Sequence, residues 1–182
     1  MPDRAVPFAA EGYSRTAILL HWIIAALVVA MIVLGQVMTQ VPRQAPLRGD
    51  LFHLHKALGL LVAALVVVRL AWRLTRRPPA LQMDLPPWNR HLANLTHIAF
   101  YVLLLAQPLP GSVASSFGKY GVNFFGLALP ASGSDTPAVR EPFPAAHHLI
   151  ADLLVALNAL HLAGVAWHRL GREPLLWRRM WR

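Results

Sequence analysis

Residues 147–167 read HHLIADLLVALNALHLAGVAW, a run in which only His147, His148, Asp152, Asn158 and His161 interrupt small or apolar side chains. A helix crosses the hydrocarbon core of a bilayer in about 20 residues, so this stretch is long enough to span one. Three more stretches of the same kind lie upstream, at residues 18–37, 55–72 and 95–113. Only structures that satisfy their own backbone polar groups cross lipid, and four such columns predict an all-α fold, a transmembrane four-helix bundle. Composition points the same way. Of 182 residues, 56% are hydrophobic and 14% charged, too few polar side chains to cover a soluble globule of this size. No internal repeat or low-complexity tract divides the chain, which reads as a single transmembrane domain over residues 1–182.

The formal charge of +9 comes from 17 Lys and Arg against 8 Asp and Glu. In a soluble chain that excess would suggest nucleic acid. Here the basic residues flank apolar stretches and no basic face interleaves with aromatics, so the expected partner is membrane lipid and not nucleic acid. Twelve of the 17 fall in three segments: Arg4 and Arg15; Arg69, Arg73, Arg76, Arg77 and Arg90; and Arg169, Arg172, Arg178, Arg179 and Arg182. Arg43, Arg48, Lys56, Lys119 and Arg140 fall on the opposite side. Because basic residues near span ends are retained in the cytoplasm, both termini are predicted to be cytoplasmic. The first span reads as a permanent helix and not a signal peptide, since its apolar run exceeds a signal's core and Asp3 and Glu11 precede it. Pro78, Pro79, Pro86 and Pro87 mark a loop between the second and third spans. The apolar run FFGLALP at 124–130 is too short to cross and is expected at the outer interface.

The chain has no cysteine, which excludes disulfides, thiolate metal sites, iron–sulfur clusters and covalently attached haem. Nine histidines remain as candidate ligands, and His21, His55, His97, His147 and His161 lie in or at the ends of spans. A buried ionisable group costs several kcal/mol in lipid unless it is paired, so five of them in four spans call for a common reason. His147 and His161 are 14 residues apart, which separates them by about 21 Å along a helix and leaves them within about 40° of each other. One face of the fourth span therefore presents two ligands at two depths. Haem b held by two imidazoles needs one from each of two facing helices, and depth selects His21 with His161 on the inner side and His55 with His147 on the outer. His148 is rotated away from the face shared with His161, and His53 lies farther from the apolar stretch than His55. His97 enters at the inner level and has two readings, a replacement for His21 as ligand or a polar group beside the haem or in a quinone pocket. His168 is read as a partner for a haem propionate or quinone oxygen, or as an ordinary interfacial histidine. Arg69, in the last turns of the second span, suits a haem propionate or snorkels to the headgroups. Gly59 either admits a macrocycle edge or simply permits close helix packing.

Several of these residues carry a resemblance. Tyr13-Ser14-Arg15 before His21-Trp22, His55-Lys56-Ala57-Leu58-Gly59 leading to Arg69-Leu70, His97 with Tyr101, residues 108–111, Phe125-Gly126-Leu127, and His147 to His161 together resemble the bacterial cytochrome b561 family, including its superoxide oxidase branch. That resemblance spans nearly the whole chain. It implies a di-haem protein of the bacterial inner membrane that exchanges electrons with ubiquinone, with superoxide as a candidate donor at the outer face. It implies His21, His55, His147 and His161 as iron ligands, and finds His97 and His168 at matching positions. The chain is also similar to the haem subunits of membrane formate dehydrogenases and hydrogenases, where the first and fourth helices share one haem and the second and fourth the other. Three functions follow as alternatives: an oxidoreductase of the superoxide:ubiquinone type, a haem-b anchor linking a separate dehydrogenase subunit to the quinone pool, or a histidine-lined metal transporter. A second copy of the chain is a further candidate partner.

Overall fold

The computed structural model describes residues 13–76, 87–118, 121–129 and 136–170. Helix α1 runs Arg15–Gln40, and Ser14 caps it, its Oγ accepting the Ala17 N–H at 3.3 Å. Helix α2, Pro46–Thr75, starts on a proline, whose fixed φ suits the first helical turn. The third span is a broken column, α3 at Pro87–Ala106 and α4 at Pro108–Ser116. Pro108 and Pro110 have no N–H, so the carbonyls of Leu104 and Ala106 lose their helical partners. Gln107 nevertheless keeps helical dihedrals, and its own N–H still reaches the Leu103 carbonyl at 2.8 Å. A single turn, α5 at Pro137–Arg140, leads into α6 at Pro142–Leu170. Among the described residues four helical columns are long and apolar enough to cross a membrane. They overrun the apolar stretches, most visibly at α2, which begins at Pro46 and not at His55.

Packing is tightest between α1 and α2, where Ile24 and Val28 meet Val62 and Val66, with Tyr101, Leu104 and Leu105 of α3 lying against them. Elsewhere large apolar side chains such as Val33, Val67, Val102 and Leu162 face outward at more than half exposure. In water that pattern would be unstable; in hydrocarbon it is the ordinary surface of a bundle. Helices α3 and α4 pack on α6, and α2 touches α3 and α4. Among the described residues α6 has no comparable backbone packing against either α1 or α2. The two ends of the bundle are tied by side chains. At one end Trp72 Nε1 donates to Ser14 Oγ at 3.1 Å and Arg69 donates to the Ala17 carbonyl at 2.9 Å. At the other, Arg48 donates to the carbonyls of Thr39 and Val41, and Lys56 Nζ to the Gly121 carbonyl at 2.9 Å.

The one sheet among the described residues is a hairpin, β1 at Val122–Phe124 antiparallel to β2 at Leu127–Leu129, in the region expected to lie along the interface. Its two-residue turn holds Phe125 at φ 49° and Gly126 at φ 97°, and Asn123 Oδ1 accepts the Gly126 N–H at 2.7 Å. Positive φ at both turn positions matches the twist of a hairpin, at a steric cost for Phe125. The hairpin packs on α2 and, less extensively, on α4. Pro78, Pro79, Pro86, Lys119 and several basic residues behind the orientation argument, Arg4, Arg77, Arg172, Arg178, Arg179 and Arg182, lie outside the described residues.

Candidate functional site

The span histidines gather in two tiers along α6. In the first, His55 of α2 faces His147 of α6 with ring centres 6.2 Å apart and planes at 71°. In the second, His161 of α6 lies between His21 of α1, at 6.5 Å, and His97 of α3, at 6.2 Å, with the Phe100 ring edge-on at 5.5 Å. Two imidazoles sharing one metal stand about 6 Å apart between ring centres, from metal–nitrogen bonds of about 2 Å on either side and half a ring's width at each end. Both tiers have that spacing. Among the described residues no group of three or more His, Cys, Asp or Glu converges to hold a bare metal ion. Two imidazoles alone are too few donors for a bare ion, and the donor set suits a haem, whose iron the two rings would hold. Among the described residues α6 makes little close backbone contact with α1 and α2, the helices whose rings face it.

The first tier has a seat built for one ring. His147 Nδ1 donates to the Gln107 main-chain carbonyl at 3.0 Å, which fixes the tautomer and leaves a lone pair on Nε2. The Gln107 side-chain amide lies 3.3 Å from that Nε2. Gly111 completes the seat, since a Cβ there would come within 3.1 Å of His147 Nδ1. On the facing side a Cβ at Gly35 would meet His55 Cε1 at 3.5 Å. His55 Nδ1 is buried without a hydrogen-bond partner among the described residues, as is Gln107 Oε1. The two need opposite partners, since an Nδ1–H on His55 would require an acceptor, such as a haem carboxylate, and Gln107 Oε1 a donor.

The second tier is assembled from neighbours. His21 sits one turn above the Ala17 carbonyl that Arg69 grips, so the guanidinium braces the base of the helix that carries it. Sequence reading offered Arg69 a propionate or the headgroups; its hydrogen bond here is to α1. His168 is half-buried near the same end of α6, two turns past His161. His148 and His53 are exposed, whereas His147 and His55 are not. Gly59 packs on Met31, where a Cβ would lie 3.5 Å from the methyl group. The glycines beside histidine rings are Gly35 and Gly111 instead. Sequence reading missed Gln107, Gly35 and Phe100 altogether. Pro108 and Pro110 mark a break in the third span, but they free the carbonyls of Leu104 and Ala106, so nothing in the sequence pointed to the Gln107 carbonyl.

A membrane-spanning four-helix bundle with stacked pairs of facing imidazoles is the architecture of a membrane b-type cytochrome. The chain belongs to the prokaryotic cytochrome b561 family, whose sequence pattern matches residues 12–182. It is similar to cytochrome b561 homolog 2 of Escherichia coli K12, with 29% identity over 152 residues, covering 83% of this chain and 81% of that protein. It is also similar to cytochrome b561 homolog 1 of the same organism, with 23% identity over 156 residues, covering 86% and 89%. At the level of the family it is a multi-pass bacterial membrane protein of the haem-b electron-transfer type.

Proposed function

We propose that this chain holds two haems b, one between His55 and His147 and one between His21 and His161, and passes electrons between a one-electron donor at the outer face and ubiquinone. Superoxide is the candidate donor. The observation that supports this reading is the pair of histidine tiers, with ring centres 6.2 Å and 6.5 Å apart, both completed by one helix. Haem bound there would supply a one-electron iron couple at each depth. The protein's part is positional. The two imidazoles of each tier would hold such a haem, and a haem held by two histidines would favour electron transfer over binding of oxygen. The Gln107 carbonyl holds His147 in the tautomer that presents Nε2. The outer side carries Arg43, Arg48, Lys56, Lys119 and Arg140 against Asp50, Asp135 and Glu141, a modest positive excess that attracts an anionic donor. On this reading both termini are cytoplasmic in the inner membrane, and His97 and His168 lie beside the inner haem on the quinone side.

The test is a reduced-minus-oxidised spectrum of the purified chain together with its haem-to-protein ratio. Two b-type haems per chain are expected; a colourless protein or a single haem overturns the assignment. Stopped-flow mixing with superoxide, with and without ubiquinone, then tests the donor. Fast haem reduction that is relieved by quinone supports the enzyme, and no reduction by superoxide removes it as the donor.

A further inference from the structure

Where α1 ends and α2 begins, Arg43, Arg48, Gly49, Phe52, His53 and Lys56 line a cleft of about 400 Å³. Residues 48, 49, 52, 53 and 56 occupy about 140° of the α2 circumference, and Asp50 falls outside that arc. Two of the cations are fixed in place by neutral groups. Arg48 donates to the carbonyls of Thr39 and Val41 and stacks over the Phe52 ring at 5.1 Å, and Lys56 donates to the Gly121 carbonyl of the segment entering the hairpin. Carbonyl partners orient these groups and leave their net charge in the cleft. The first turn of α2 adds the partial positive charge of a helix N-terminus.

The cleft is also continuous with an apolar track. Val29, Val33 and Val37 follow one another at four-residue spacing on α1, 57%, 56% and 46% exposed. The next member of that series is Val41, whose carbonyl holds Arg48. A lipid-facing stripe thus ends, where the span leaves the hydrocarbon, against a cluster of three formal positive charges and an aromatic ring. A superoxide ion would fill a small fraction of such a space. A phosphodiester headgroup matches its size, its charge and its position at the headgroup level.

We propose that this cleft binds the phosphate headgroup of one anionic phospholipid, with an acyl chain lying along Val29, Val33 and Val37. The inference does not depend on the haem assignment. It is tested on the full chain in detergent by titrating phosphatidylglycerol or phosphatidylcholine and counting bound lipid by native mass spectrometry. Phosphatidylglycerol is expected to bind more tightly, and Arg43→Gln, a change at an exposed side chain, is expected to reduce that preference about fivefold. Arg90→Gln, an equal loss of charge on α3, should leave the preference intact. Equal binding of the two lipids, an unchanged preference in Arg43→Gln, or an equal loss in Arg90→Gln would each overturn the site. Inorganic phosphate displacing phosphatidylglycerol at matched concentration would show a soluble oxyanion site and overturn the lipid assignment.

Discussion

The two histidine tiers solve one problem in different ways. At His55 and His147 the backbone does the positioning: the Gln107 carbonyl takes the ring N–H, the bare backbone of Gly111 admits the His147 ring, and Gly35 lies beside His55. At His161 other side chains do it, with His21, His97 and Phe100 surrounding one ring and Arg69 bracing α1 from below. A backbone seat defines one orientation and tolerates no added atom. A side-chain cage offers a ring more than one partner, and its members can be exchanged. The His55–His147 tier, outer in the proposed orientation, should therefore be sensitive to small changes in shape, and the His161 tier, inner in that orientation, to the choice of histidine.

The largest effect should separate the tiers outright. His161→Ala is predicted to empty the inner site and His147→Ala the outer, each lowering haem per chain from two to one in a pyridine haemochrome assay. Loss of both haems from either variant would show that the tiers are not independent. His21→Ala against His97→Ala then settles the cage: only the ligand's removal should cost a haem, while removal of its neighbour should shift the spectrum and leave the count at two. Next in size is Gly111→Ala, whose methyl would sit 3.1 Å from the His147 ring. It should weaken outer haem retention by about 10–100-fold, the usual cost of disturbing a ligand's support. Gly35→Ala, whose methyl would meet His55 Cε1 at an ordinary contact distance of 3.5 Å, should cost far less, and equal losses would remove the argument for a seat at Gln107. Arg69→Met should destabilise the bundle by about 1–2 kcal/mol through loss of its bond to Ala17, measured by denaturant titration in micelles, with outer haem content unchanged. The smallest effect is Phe125→Gly, which relieves a positive φ. It should leave stability unchanged or raise it by up to about 1 kcal/mol, and a clear loss would mean that the ring's contact with Phe124 outweighs the strain.

The spans were legible because lipid imposes a crude, long-range rule on composition, and 20 apolar residues satisfy it whatever their neighbours. The histidine tiers were legible through helical arithmetic: a 14-residue spacing aligns His147 with His161, and the same arithmetic rotates His148 outward, where it is exposed. What escaped was local and three-dimensional. Gln107 acts through a main-chain carbonyl, which every residue possesses, and only its place beside two prolines and across from α6 gives it a partner. Gly59 drew attention by lying near His55 in sequence, yet it packs on Met31, and the glycines at the rings come from other helices. The hairpin was hidden for a related reason. Its turn carries Phe125 where Asn or Gly would announce it, and the usual asparagine sits two residues earlier, at Asn123.

Among the described residues helix α6 contributes a ring to each facing histidine pair, and it is synthesised after α1, α2 and α3. Neither tier can be completed by a nascent or truncated chain, however well the earlier helices have inserted. The α1–α2 hairpin, with the tightest apolar packing in the bundle, can form well before then and wait. On the proposed haem assignment, a molecule that has not yet added α6 offers no finished site, and a chain cut before α6 is expected to emerge from the insertion machinery without colour.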